Sequence, residues 1–170
     1  HDSIRGPCYD KIINNIEKIS KYKKVIINTT ISSKNYKKIP DLIKTLEDKV
    51  FGITVQFFYP YPDLIDYSLD IDQRKYIIEE LMMLKKKGYR ILNSKICLKK
   101  MISNDWVCND FLVSSIEPDG TITDGCYLKN SVNNISCRDC GFSAHCEISL
   151  AFQLKIGAII SASKIFWSKK

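Results

Sequence analysis

The chain has 170 residues, long enough for one domain with a real core, and its hydrophobic fraction of 45% is typical of an ordinary globular protein. Its longest apolar stretch, residues 156–167, is interrupted by glycine, serine and lysine and falls short of the roughly 20 residues that a membrane span needs. The net charge of +7 comes mostly from lysine clusters that we expect to cover solvated helix faces, so neither a membrane span nor a nucleic-acid partner is predicted.

The first part of the chain, residues 1–104, alternates helical and strand patterns, which predicts the α/β order of a parallel sheet or barrel. Short β-branched runs predict the strands, and apolar residues at every third or fourth position predict the helices. Asp70 or Asp72 is expected to cap the last of these helices, and Gly88 to end it. The predicted helices are residues 9–21, one opened by Pro40, and 73–87, and the predicted strands are residues 24–31, 52–59 and 90–93.

The second part, residues 105–170, is expected to be a small cysteine-rich module. Residues 112–116 have a strand pattern, and residues 117–120 read Glu-Pro-Asp-Gly, in which proline presets one backbone angle and glycine permits a positive one. Residues 121–123 then return as the second strand of a hairpin, and one helix over residues 147–160 closes the module.

Seven cysteines are many for a chain in which we find no secretory signal, and an odd number argues against a complete disulfide framework. Clustering of cysteines favours metal binding in a reducing compartment, where thiolates remain available, so we expect a cytoplasmic protein. Five of the seven follow the pattern Cys108-x17-Cys126-x10-Cys137-x2-Cys140-x5-Cys146.

This spacing brings soft ligands together at two structural corners. A Cys-x2-Cys pair directs two thiolates to the same side of a turn, and the hairpin brings Cys108 close to Cys126. Four such ligands suit zinc or an iron–sulfur cluster. We expect Cys8 and Cys97 to be buried apolar thiols and His145 to lie at the surface. A zinc site remains an alternative, with the ligands Cys126, Cys137, Cys140 and either His145 or Cys146.

Beyond the cysteines, the chain resembles the C-terminal part of radical S-adenosylmethionine (SAM) enzymes. Residues 1–6, His-Asp-Ser-Ile-Arg-Gly, resemble the H-D-x-x-R-G segment that follows the fourth barrel strand of these enzymes. Residues 27–31, with Asn35 soon after, are similar to their fifth strand, and residues 52–60 to their sixth. The resemblance is closest to the hopanoid-type radical SAM proteins of archaea and bacteria, and it covers nearly the whole chain.

The terminal region is similar to the twitch or SPASM auxiliary domains of the same enzymes. In those domains a cysteine, a hairpin with an Asp-Gly turn, a second cysteine and a Cys-x2-Cys pair hold a [4Fe–4S] cluster. Leu150 stands where the larger SPASM form has a further cysteine, so we expect a single auxiliary cluster. The ligands that the resemblance implies are Cys108, Cys126, Cys137, Cys140 and, as in the SPASM form, Cys146.

The resemblance implies an α/β fold: the C-terminal half of a partial (β/α)6 radical SAM barrel, followed by a small cysteine-rich β-hairpin plus helix module. It implies an intact enzyme that cleaves SAM to a 5′-deoxyadenosyl radical, with Arg5 and Asn28 as SAM-binding residues. The sequence lacks the Cys-x3-Cys-x2-Cys loop that holds the second, SAM-cleaving [4Fe–4S] cluster, so we expect an inactive fragment. The implied partners are the missing N-terminal half of the barrel, an electron donor such as ferredoxin or flavodoxin, and an unknown peptide, lipid or metabolite substrate.

Two other interpretations stay open at this point. One is a non-catalytic zinc-binding module, and the other is a degenerate, interaction-only paralogue that never had the N-terminal half. Iron and acid-labile sulfide would distinguish an enzyme fragment from a zinc module.

Overall fold

The computed structural model describes residues 6–131 and 135–167, which form a mixed α/β fold that is mostly helical and has two small sheets. The predicted α/β class is therefore confirmed. The helices are α1 (Tyr9–Ser20), α2 (Ile39–Leu46), α3 (Ile71–Lys86), α4 (Lys95–Ser103), α5 (Leu128–Ser131), α6 (Ser143–Phe152) and α7 (Ile156–Phe166). The strands are β1 (Ile26–Ile31), β2 (Gly52–Phe57), β3 (Ser114–Ile116) and β4 (Ile122–Asp124).

Strands β1 and β2 are parallel, and the two faces of this sheet differ sharply. On one face Ile31, Val55 and Phe57 are fully buried against the helices. On the other face Asn28 lies opposite Thr54, whose hydroxyl donates to the Asn28 Oδ1 at 3.1 Å. The alternation follows from the period of two along a strand, so one face of the sheet is apolar and the other is polar.

The outer edge of β2 is closed without a full third strand. Ile53 forms a single parallel bridge with Ile91, so the strand predicted over residues 90–93 is reduced to one residue pair. The Asn93 side chain then takes over, because its Oδ1 accepts from the Val55 N–H at 2.8 Å and its Nδ2 donates to the Val55 carbonyl at 3.1 Å. Asn93 is 1% exposed, and its amide acts as a substitute for a strand backbone.

Two residues further along the same edge, Phe57 donates its N–H to the carbonyl of Gly141 at 2.9 Å. A Cβ atom on Gly141 would lie within 2.8 Å of the Phe57 backbone. The close approach therefore requires glycine. It joins the segment that carries the C-terminal cysteines to the carboxyl end of β2.

The main core draws on both predicted parts of the chain. Helix α3 buries Ile77, Ile78 and Leu81, as the helical spacing predicts. Helices α6 and α7 contribute further members of the same core, which are Cys146, Leu150 and Ala158.

Local signals at the ends of α3 are confirmed. The Asp70 carboxylate accepts the N–H of Gln73 at 2.7 Å, and the Gln73 side chain accepts the N–H of Asp70 at 3.2 Å. This reciprocal pair is a capping box. Gly88 has a φ of 102°, which glycine adopts at no steric cost, directly after the helix ends.

The single terminal helix predicted over residues 147–160 is wrong. The structure has α6 and α7 instead, bent by 118° at a break where Leu154 adopts a φ of 59°. Within the described residues no single helix has the length and apolarity to cross a membrane, and α6 and α7 meet that test only as a bent pair. Helix α4 was also not predicted, although the Ser94 hydroxyl caps it by accepting the N–H of Cys97 at 3.1 Å.

Helix α7 crosses the amino ends of the parallel strands. Lys24, which precedes β1, donates to the carbonyls of Lys164 and Ile165 at 2.9 Å and 2.6 Å near the end of α7. The Ser161 hydroxyl donates to the carbonyl of Leu92. These contacts fasten the last described helix to the chain segments that flank the sheet.

Candidate functional site

Four of the predicted ligands lie near one another, and we call them the cysteine group. Burial, followed by repulsion from the other three thiols and from Asp110, raises the pKa of Cys108 to about 12. Burial likewise raises the pKa of Cys140 to about 11. Because the thiolates of Cys108, Cys126 and Cys140 are each destabilised by other members of the group, Cys137 included, all four lie within electrostatic reach of one another. The cysteine group consists of Cys108, Cys126, Cys137 and Cys140.

The predicted hairpin positions the first two members. Strands β3 and β4 pair in an antiparallel register with Ser115 opposite Thr123. The turn contains Gly120, which has a φ of 87°. Because Cys108 precedes the hairpin and Cys126 follows β4, closing the hairpin brings the two thiols to its base.

Asp110 fastens the base of the hairpin. Its carboxylate forms an ion pair with Lys129 at 2.5 Å and accepts the N–H of Cys126 at 3.4 Å. The hydrogen bond from Lys129 is the largest of the effects that lower the pKa of Asp110. Gly125 lies here with a φ of 92°, and a Cβ atom on it would meet the Asp110 carboxylate at 2.6 Å.

The last two members belong to a tight turn, in which the Cys140 N–H donates to the Cys137 carbonyl at 3.3 Å. The Phe142 N–H points at the Cys140 sulfur at 3.5 Å. Arg74 of α3 anchors the turn from below, because its guanidinium donates to the Asp139 carbonyl at 2.9 Å and is only 7% exposed. Cys140 is buried and Cys137 is exposed.

Aromatic rings cover one side of the cysteine group, and we call them the aromatic wall. Tyr127 and Phe142 are stacked with 5.3 Å between ring centroids, and Phe142 lies 6.0 Å from Tyr59. The hydroxyls of Tyr61 and Tyr127 are 3.1 Å apart. Burial, followed by this hydrogen bond, raises the pKa of Tyr127. The wall consists of Tyr59, Tyr61, Tyr127 and Phe142, and it packs with Cys126 and Cys140 in one apolar cluster.

The site lies at the carboxyl end of the parallel sheet, since Tyr59 and Tyr61 directly follow β2. In α/β proteins this end is where loops carrying functional side chains converge. Trp106 and Tyr127 pack in the second apolar cluster and shield the cysteines beside them. Phe111 does not share this role, because it is 68% exposed and contacts Phe152 instead.

His145 was expected at the surface, and this expectation is wrong. Both ring nitrogens are buried, and among the described residues neither has a hydrogen-bond partner. The ring lies 5.7 Å from Phe142 of the aromatic wall. Burial lowers the pKa of His145, so the imidazole is neutral near pH 7. The burial of His145 could have been predicted from helical spacing, because His145 lies one helical turn after the buried Phe142.

The fifth predicted ligand, Cys146, lies apart from the cysteine group. Its side chain is 0% exposed in the main core. There it contacts Cys97, whose pKa is raised well above its usual value by the hydrogen bond with Cys146 and by burial. Cys97 is also 0% exposed, as predicted. The predicted SAM residue Asn28 is exposed on the polar face of the sheet, and Arg5 lies outside the described residues.

The thiols of the cysteine group are suitable ligands for a thiophilic metal, but in this structure they are not close enough to one another to coordinate one ion. Across residues 6–131 and 135–167, no three His, Cys, Asp or Glu side chains are arranged to hold a metal ion. Loading the group would therefore require the thiols to converge and to lose their protons. The exposed position of Cys137 leaves its side chain room to move.

Comparison with known proteins does not identify a family. No protein family matches the sequence, no curated protein matches it, and no solved structure matches the fold. The function is therefore inferred from the residues and their geometry.

Proposed function

We propose that this chain is part of a radical SAM enzyme and that its cysteine group holds an auxiliary [4Fe–4S] cluster. The observation that carries the proposal is that the hairpin base and the Cys137–Cys140 turn place four cysteines within electrostatic reach of one another beside the carboxyl end of β2. Four cysteine thiolates are the ordinary ligand set of such a cluster. Cys146 is left out of the proposed set because it packs against Cys97 in the main core.

The form of the parallel sheet supports the barrel part of the proposal. Parallel sheets are normally covered on both faces, yet here the face that carries Asn28 and Thr30 is polar and exposed. In the described residues β1 pairs only with β2, so its other edge can accept a further strand. A half-barrel has these two properties, because its inner face lines a polar cavity and one of its edges joins the other half.

The residues around the cysteine group are suited to protecting a cluster. A bound cluster would supply one-electron transfer or a substrate anchor. The aromatic wall excludes water on one side, and the Phe142 N–H is placed to donate to the Cys140 sulfur. Hydrogen bonds to the sulfurs and low solvent exposure both tune such a centre.

The remaining parts of the proposed enzyme follow from the resemblance. SAM would lie against the polar face near Asn28, with Arg5 pairing with its carboxylate. The SAM-cleaving cluster would come from the N-terminal half of the barrel, and electrons from a ferredoxin or flavodoxin. The substrate class, whether peptide, lipid or metabolite, stays open.

The first test is anaerobic reconstitution with iron and sulfide, followed by metal and sulfide analysis and an absorption spectrum. We expect about four irons and four sulfides per chain. Cys126→Ala and Cys137→Ala should each abolish this content, whereas Cys8→Ala, at the start of α1, should retain it. Absence of iron and sulfide in the wild-type chain after reconstitution would overturn the proposal.

A zinc-binding module is the second candidate, and His145 is the observation that favours it. Its two buried nitrogens, which have no hydrogen-bond partner in the described part of the chain, lie next to the aromatic wall. One imidazole with three thiolates is a common structural zinc set. This candidate predicts about one zinc per chain, no sulfide, and loss of zinc in His145→Ala. Retention of a full iron and sulfide content in His145→Ala would exclude it.

A further inference from the structure

A large open groove lies at the opposite end of the sheet from the cysteine group. Its volume is about 1070 Å³, just above the roughly 300–1,000 Å³ that is typical of ligand sites. Phe51, which precedes β2, and Ile91 form part of its floor, and helix α7 forms one side. The groove is therefore built from the amino ends of the strands, far along the sheet from Tyr59.

Apolar side chains line this groove and remain exposed to solvent in the folded chain. Ile156 is 73% exposed, Leu154 is 78% exposed and Ile160 is 51% exposed. All three line the groove together with Leu92 and Ile96. Exposed apolar area concentrated in one concave place is typical of a binding site.

The charges around the groove have one sign. Among the described residues that line it, none is acidic. Lys95 and Lys155 form no ion pair with any carboxylate of the described chain. The basic residues that line the groove are Lys85, Arg90, Lys95, Lys155 and Lys164.

The crowding of these cations is visible at Lys85. Burial lowers the pKa of its amine, and repulsion from Lys164 and Lys95 lowers it further. Glu147 lies behind Lys85 and offsets part of this effect, but its carboxylate is turned to the N–H of Ser94 at the start of α4. An anion in the groove would relieve the repulsion that Glu147 leaves.

We propose that the groove binds a monomeric anionic amphiphile, an acyl chain with a carboxylate or phosphate headgroup. The acyl chain lies on Leu154, Ile156 and Ile160, and the headgroup lies between Lys95 and Lys155. A neutral amphiphile would leave the lysines without a charged partner. A compact anion would leave the apolar side chains of the groove exposed to water. The inference does not depend on the cysteine group, because the groove contains none of its members.

Isothermal titration calorimetry with decanoate, below its micelle concentration, tests the proposal. Decanoate should bind saturably, octanoate about tenfold more weakly because two methylenes fewer are buried, and 1-decanol much more weakly than decanoate. The double variant Lys95→Glu/Lys155→Glu should weaken decanoate binding about tenfold. Lys99→Glu is the matched control, because Lys99 is an exposed lysine of α4 outside the groove, and it should leave binding unchanged.

Three results would overturn the proposal. One is the absence of saturable decanoate binding by the wild-type chain. The second is equal binding of 1-decanol and decanoate, unaffected by the charge reversals. The third is co-sedimentation with vesicles of phosphatidylglycerol in phosphatidylcholine without binding of monomeric decanoate, which would make the groove a membrane-contact surface instead.

Discussion

Asn93→Ala should be among the most destabilising single substitutions in the chain, although Asn93 belongs to no helix or strand. The side chain is 1% exposed and satisfies both polar groups of the Val55 backbone, at 2.8 Å and 3.1 Å. Alanine keeps the backbone of residue 93 but removes both partners. Water cannot replace them easily, because Val55 is 0% exposed in the middle of the sheet.

The size of the effect follows from these two orphaned groups. Leaving one buried donor or acceptor unsatisfied costs about 1–3 kcal/mol, so the loss in the free energy of unfolding should be about 2–6 kcal/mol. This is a large fraction of the roughly 5–15 kcal/mol that stabilises a typical domain. Asn28→Ala is the matched control, because the Asn28 side chain is exposed and accepts from only a hydroxyl, so the change should stay within about 0.5 kcal/mol.

Urea unfolding followed by far-ultraviolet circular dichroism measures both variants, with the slope of the transition compared to confirm that the unfolded states match. Hydrogen exchange adds a local readout, since the Val55 amide should be protected in the wild-type chain and exchange much faster in Asn93→Ala. A loss below about 1 kcal/mol, or an unchanged Val55 amide, would show that the Asn93 amide is not a substitute for a strand at this edge.

Three further predictions concern other parts of the fold. Gly141→Ala should lower the free energy of unfolding by at least about 2 kcal/mol, because its Cβ would meet the Phe57 backbone. Gly157→Ala is the control: its Cβ would lie 3.6 Å from Ile96, so the change should be neutral or stabilising by up to about 1 kcal/mol. Thermal melts compare the two variants. Burial raises the pKa of Glu147 above its usual 4.5, so the folded chain holds this proton more tightly than the unfolded chain does. The free energy of unfolding should therefore fall as pH rises through the interval just above 4.5. The dependence of the urea midpoint on pH should disappear from this interval in Glu147→Gln, and an unchanged dependence would contradict the assignment. Cys146→Ala should cost about 1–2 kcal/mol of stability yet keep the reconstituted iron content, and a loss of iron would return Cys146 to the ligand set.

Much of the fold was predictable because its signals are local. The turn at residues 117–120 and the cap at Asp70 each depend on side chains within four residues of one another, and both are confirmed. The burial of Ile77 and Leu81 follows from helical spacing alone. Local hydrogen bonding and periodicity are written directly into adjacent residues, so the sequence is sufficient for them.

The parts that were not predictable depend on contacts between distant segments. The pairing of the Asn93 amide with the Val55 backbone could not be predicted from the residues near Asn93, because Val55 lies far back in the chain. The break at Leu154 is a leucine in a left-handed conformation, which no local propensity favours. Cys146 looks like a ligand by its spacing, yet it shares the buried face of α6 with Leu150, four positions on, and this helical register was the available signal.

The fastening of α7 to Lys24 has a consequence for the order in which the chain folds. The donor and its acceptor carbonyls are separated by 140 and 141 positions along the sequence. The core around β2 likewise receives Leu150 and Ala158 from the last two helices. Contacts of such long range are slow to form, because much of the intervening chain must be ordered first. During synthesis the core around β2 would therefore stay incomplete until α6 and α7 have left the ribosome.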